Sequence, residues 1–73
     1  MVRGMKHDTA SMIAAIDAAA KRWGVAVSTA SQLAARDRFF RDRLAKGGRF
    51  WPETAQKVMQ RIEEQDRKRG IEA

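Results

Sequence analysis

The chain has no cysteine, which excludes disulfide staples and thiolate metal sites. Its single histidine, His7, cannot hold a metal alone, so neither a metal nor any other cofactor is expected. One proline and no strand-like alternation leave an aliphatic, alanine-rich sequence that favours helix throughout. No apolar run approaches the roughly 20 residues that span a bilayer, and no membrane partner is expected. The basic residues near the start are followed by no continuous apolar stretch, so a signal peptide is not expected and a cytoplasmic, nucleoid-associated protein is. The sequence also lacks a glycine-rich phosphate loop with a lysine, a cysteine nucleophile and any Ser–His–acid set beyond His7. Asp17, Glu53, Glu63 and Glu64 are acids that can pair in principle, but 73 residues leave little room for a water-excluding cleft. An enzyme with a small-molecule substrate is therefore not expected.

What the chain does have is concentrated positive charge. Arg36 to Phe50, RDRFFRDRLAKGGRF, holds five arginines and one lysine against Asp37 and Asp42, a local net charge of +4 within a total of +6. The eleven residues before it, Val25 to Ala35, carry no charge. A solvated helix face more often interleaves its charges. This polarisation points to a surface that meets a polyanion, with nucleic acid as the first candidate.

The pattern predicts a compact all-α domain of four or five helices over residues 9–69, preceded by a flexible basic arm (1–8, with Arg3, Lys6 and His7) and followed by a disordered tail (70–73). Asp8 or Thr9 can cap a first helix over Thr9 to Trp23, in which Met12, Ile13, Ile16, Ala20 and Trp23 form an apolar stripe. Gly24 ends it, and Val25 folds back onto that end. Ser28 is the expected N-cap of a short second helix with Ala30, Leu33 and Ala34 inward. Asp37 is the expected cap of a third, over residues 37–46, with Phe40 and Leu44 inward and Gly47–Gly48 at its end. Pro52 opens a fourth helix, with Ala55, Val58, Met59 and Ile62 inward. The polar stretch beyond Ile62 is expected to fray before Gly70. Trp23 and Trp51 are expected in the core or at its edge.

A short helix followed by a basic one suggests a helix-turn-helix, and two registers compete. In residues 16–35, Ala20, Gly24, Val25, Ala30 and Leu33 occupy small, turn and core positions. That stretch, AAAKRWGVAVSTASQLA, resembles the start of lactose-repressor family DNA-binding domains. The register 28–47 is preferred, because it makes the arginine-rich helix the reader, whereas STASQLA offers no basic residue. The segment from Ser28 also resembles small bacterial helix-turn-helix proteins of the phage repressor and Cro-like type. Its pattern is S-T-x-x-x-L-A, then F-x-x-x-L-x-x-G-G-R-x-W-P-x-T-x-x-x-V. The matching positions are Ser28, Thr29, Leu33, Ala34, Phe40, Leu44, Gly47, Gly48, Arg49, Trp51, Pro52, Thr54 and Val58, over about half the chain. The chain departs from a phage-repressor turn in having Ala35, Arg36 and Asp37 where a glycine is usual.

The resemblance implies a sequence-specific double-stranded DNA-binding transcriptional regulator of phage-like origin, acting as a homodimer or with a partner transcription protein. On the outer side of the third helix, Arg38 and Arg41 are candidates for guanine. Asp42 can accept from cytosine, or more simply pairs with Arg38 four residues earlier. Phe39 can meet a thymine methyl, a partner subunit or the core edge. Ser28, Thr29 and Gln32 are candidate phosphate donors, and Arg36, Arg43, Lys46 and Arg49 candidate phosphate clamps. The alternative is a protein-interaction module, an adaptor or antitoxin-like domain whose basic face binds an acidic protein. RNA binding is weaker still, since aromatics spaced for base stacking are not evident.

Overall fold

The computed structural model describes residues 8–71, so most of the expected arm, together with residues 72–73, lies outside the described residues. Among the described residues every regular element is a helix: α1 (Thr9–Trp23), α2 (Val27–Ala35), α3 (Phe40–Ala45) and α4 (Pro52–Lys68). The all-α four-helix fold is as expected, and α1 has the expected bounds. The Asp8 carboxylate accepts from the Ser11 amide at 2.8 Å, satisfying a donor that the first turn leaves open. Met12, Ile16, Ala19, Ala20 and Trp23 make the buried stripe. Gly24 takes φ 68°, a left-handed conformation that suits a residue without Cβ. The Val25 amide then returns to the Ala20 carbonyl at 3.1 Å, closing the helix end.

The second helix starts earlier than expected. Ala26, not Ser28, is its N-cap, and no side chain accepts from its first turn. Two residues after Gly24 are enough to reverse the chain. Ala26 is extended and its carbonyl accepts from Ala30 at 3.0 Å, so Ser28 lies inside the first turn. Ala30, Ser31 and Ala34 are buried, while Leu33 is half-buried. These small side chains let α2 sit between α1 and α4 at close range. Phe40 and Leu44 of α3 and Ala55, Val58 and Ile62 of α4 complete one core.

Helix α4 does not fray where its apolar stripe ends. It runs to Lys68 because Asp66 is anchored on α1. Its carboxylate accepts from Trp23 Nε1 at 2.8 Å and from Arg22 Nη2 at 2.9 Å and Nε at 3.3 Å. The Arg69 guanidinium covers the Trp23 ring at 5.4 Å from its centroid. Ile71 packs on the core and its amide donates to the Asp66 carbonyl at 2.8 Å. Residues 70 and 71 are thus part of the fold rather than a tail.

Candidate nucleic-acid interface

The α2–α3 junction organises the basic region. Arg36 caps α2 with φ 58° and donates its amide to the Gln32 carbonyl at 2.8 Å. The turn that lacks a glycine is therefore made by an arginine in the left-handed region, at a cost of about 1–2 kcal/mol for a side chain with Cβ. Residues 37–39 are a turn, not the first turn of a helix. The Asp37 carboxylate accepts from the Phe39 amide at 2.9 Å, and its carbonyl accepts from the Phe40 amide and from Ser31 Oγ. The buried Ser31 hydroxyl donates to Asp37 O at 2.7 Å and accepts from the Arg41 amide at 3.2 Å, fastening α2 to the start of α3. Helix α3 has six residues where ten were expected. The helix ends at Ala45, and the chain turns back on it at Gly48, whose amide donates to the Arg43 carbonyl at 2.7 Å. A Cβ on Gly48 would lie 2.7 Å from that oxygen, so only glycine fits.

Two arginines expected on DNA are engaged within the molecule. Arg41 faces α1, not solvent, and makes a two-pronged bond to Asp17, with Nε to Oδ1 at 3.0 Å and Nη2 to Oδ2 at 2.9 Å. The Arg41 hydrogen bonds hold the Asp17 carboxyl below its ordinary value. This fixes α3 on α1 and commits the Arg41 guanidinium to Asp17 rather than to open solvent. Arg43 pairs with Asp37 at 2.6 Å. The Phe39 amide first, and Arg43 second, lower the Asp37 pKa. The expected Arg38–Asp42 pair is not formed, and among the described residues neither has an ion-pair partner. The Arg38 guanidinium instead sits 5.9 Å from the Phe39 ring centroid. Phe39 is 59% exposed, so it is not a core edge. Its neighbour Phe40 takes the inward position.

These residues border the start of α2. Val27 and Ser28 share a shallow groove with Arg38, Phe39, Arg41 and Asp42. Along α2, Thr29 and Gln32 are exposed three residues apart and so share a face. Arg36, just past the helix end, borders the same groove as Gln32 and completes an exposed ridge. The Ser28 edge of the ridge borders α3, and the Leu33 edge borders α4. The amides of Val27, Ser28 and Thr29 have no acceptor among the described residues. Lys46 and Arg49 are exposed without a carboxylate partner there. Trp51, expected near the core, is 75% exposed. Phe50 turns inward instead, since successive side chains of an extended segment point to opposite sides.

Ser31, Asp17 and Asp66 were missed as organisers, and Arg61 and Lys68 as neighbours of the ridge. The only sequence signal for the last two was basic charge on the polar side of an amphipathic helix. No helix among the described residues is long and apolar enough to cross a membrane. No protein-family model matches the chain, and comparisons with curated proteins and with solved structures find no match.

Proposed function

We propose that this protein is a sequence-specific double-stranded DNA-binding transcriptional regulator of the helix-turn-helix type, with α2 as the helix that enters the major groove. The observation that carries this reading is the exposed ridge of Thr29, Gln32 and Arg36 on a helix held by neighbours on its other sides. What supports a motif of this type is that α1 and α2 follow each other across a three-residue turn that opens on Gly24. This is the register 16–35. The rival reader, α3, has six residues, and its Arg41 is tied to Asp17. Helix α2 itself carries no basic residue, but cations lie at both of its ends. Arg36 ends the helix and Arg38 stands beside its start.

In this reading Gln32 and Thr29 contact base edges, Gln with the two-bond geometry that suits adenine. The open amides of Val27, Ser28 and Thr29 and the Arg38 guanidinium meet phosphate. One such domain touches few base pairs, so a homodimer on a two-fold site or a partner transcription protein supplies the rest of the specificity. The exposed Phe39 and Trp51 favour a second reading, a module whose basic face binds an acidic protein. Selection of bound sites from random duplex DNA separates the two, because a regulator yields a tight consensus and an adaptor yields none. On the selected site, Thr29→Ala/Gln32→Ala should remove discrimination against scrambled duplex. If Arg38→Ala alone does so while the Thr29/Gln32 pair does not, α2 is not the reader.

A further inference from the structure

On the Leu33 edge of α2, opposite α3, lies a groove of about 270 Å³. Gln32 and Leu33 of α2 with Arg36 just past its end form one wall, and Arg61, Glu64 and Lys68 of α4 the other. We infer that this groove is an oxyanion site for a backbone phosphodiester of DNA, with Arg36, Arg61 and Lys68 as its ligands. The inference rests on the reading of α2 given above and adds a contact from α4. A helix lying in the major groove has a phosphate strand on each side. Arg38 stands on the α3 side and the Arg36–Arg61–Lys68 groove on the α4 side, so each strand meets its own cations.

Three observations set these cations apart from ordinary solvated charges. Glu64 lies three residues after Arg61 and four before Lys68, spacings at which helical ion pairs form. Neither pair forms within ion-pair distance, whereas Arg22, Arg41 and Arg43 each hold a carboxylate. Arg61 is half-buried and placed by a donated hydrogen bond to the Ala34 carbonyl at 3.5 Å, so its remaining N–H groups stay available at the groove. Arg36 occupies a left-handed backbone position, φ 58°, where glycine would be unstrained. The cap there is made by the backbone amide, so the turn itself makes no use of the guanidinium.

The test measures duplex affinity against salt for the wild type, Arg61→Gln and Lys68→Gln on cognate and scrambled sites. Each substitution should reduce the magnitude of the log–log salt slope by about 0.9 and weaken both duplexes by the same factor. Arg61→Lys, which keeps the charge, should retain the slope. Lys68 is exposed at a helix end, so its variant stays folded even if Arg61→Gln loosens α2, and thermal melting checks both. An unchanged slope in Lys68→Gln and in folded Arg61→Gln overturns the groove assignment. The α2 reading survives that result if Thr29→Ala/Gln32→Ala still removes discrimination. Absence of any tight duplex for the wild type overturns both. Titration of inorganic phosphate is the remaining arm. If phosphate raises the melting midpoint of the wild type but not of Lys68→Gln, and the duplex slopes are equal, the site takes the free ion and the DNA assignment fails.

Discussion

The cationic side chains that hold an ion pair and those that border the α2 ridge and the loop after α3 look alike in sequence. Arg22, Arg41 and Arg43 each bind a carboxylate, from Asp66, Asp17 and Asp37. Arg36, Arg38, Lys46, Arg49, Arg61 and Lys68 have no carboxylate partner among the described residues. The first group joins α1 to α4, α1 to α3 and the α2–α3 turn to α3. The second surrounds the exposed ridge of α2 and the loop after α3. What separates the groups is where the acids lie. Asp17 is 24 residues from Arg41, and Asp66 is 44 from Arg22. A cluster of arginines therefore measures how much charge a surface can use, and the distant acids decide which arginines remain for a ligand.

The same division holds for the aromatic pairs, and there it produces the largest expected effects. Phe40 is 6% exposed and Leu44 2%, whereas Phe39 is 59% exposed. Phe40→Ala and Leu44→Ala should each destabilise by roughly 2–5 kcal/mol, since they empty a buried site in a small core. Phe39→Ala should shift thermal or denaturant midpoints by less than about 0.5 kcal/mol. Equal losses at Phe39 and Phe40 would mean that the exposed ring is covered in solution, as a homodimer through Phe39 requires.

Next in size is Asp66. It is the acid that joins Trp23 and Arg22 to the end of α4, and Asp66→Ala should cost roughly 1.5–3 kcal/mol by leaving the indole N–H without its charged acceptor. Burial raises the Asp66 pKa, but the hydrogen bonds from Trp23 and Arg22 outweigh it and leave the carboxyl below its ordinary 3.8. A depressed folded-state pKa stabilises above the unfolded value and ceases to do so as pH falls through the folded one. Unfolding free energy should therefore be flat near neutrality and decline below about pH 4, less steeply in Asp66→Asn. A decline of equal steepness in Asp66→Asn would assign the acid loss to Asp8, Asp17 and Asp37 instead.

How much of this was legible depends on the distance between a residue and its cause. Helix α1 was readable to the residue because its cap Asp8, its stripe and its terminating Gly24 are all local. The end of α4 was not, since what holds Lys68 helical is an acid whose partner lies 43 residues away. The start of α3 was displaced from 37 to Phe40 because Asp37 spends its carboxylate on the Phe39 amide and its carbonyl on a buried serine. Ser31 resembles every other small polar residue in STASQLAA. The basic cluster was visible as charge, but its division into tied and untied cations was not. Trp51 failed for a simpler reason: of the adjacent Phe50 and Trp51 only one turns inward, and sequence alone does not say which. Phe40, by contrast, was placed inward of Phe39 by its four-residue spacing from Leu44.

A smaller contrast sets Arg41 against Arg38. The Arg41–Asp17 pair is partly solvated, with side chains 29% and 40% exposed. Arg41→Ala should therefore cost only about 0.2–1 kcal/mol of stability and leave duplex affinity of the folded protein unchanged. Arg38→Ala should do the reverse, with no change in midpoint and weaker binding to cognate and scrambled duplex alike. Chemical denaturation and fluorescence anisotropy on the same preparations decide it. If Arg41→Ala weakens cognate binding selectively, the arginine leaves Asp17 to reach DNA.

The smallest expected effect is the sharpest, because its two readouts move in opposite directions. Arg36 holds φ 58°, and its amide bond to Gln32 is made by the backbone, so glycine can take its place without losing the cap. Relief of the left-handed penalty of about 1–2 kcal/mol, set against the extra flexibility glycine gives the unfolded chain, should leave Arg36→Gly at most about 1 kcal/mol more stable than the wild type. Arg36→Ala keeps the strain and removes the charge, so its midpoint should not rise. Both variants should lose the same factor in duplex affinity, because both lose the guanidinium at the end of the α2 ridge. A stabilised Arg36→Gly that still binds as tightly as the wild type would move the interface away from the C-terminal half of α2. An Arg36→Gly no more stable than Arg36→Ala would show that the turn relaxes out of the left-handed region in solution.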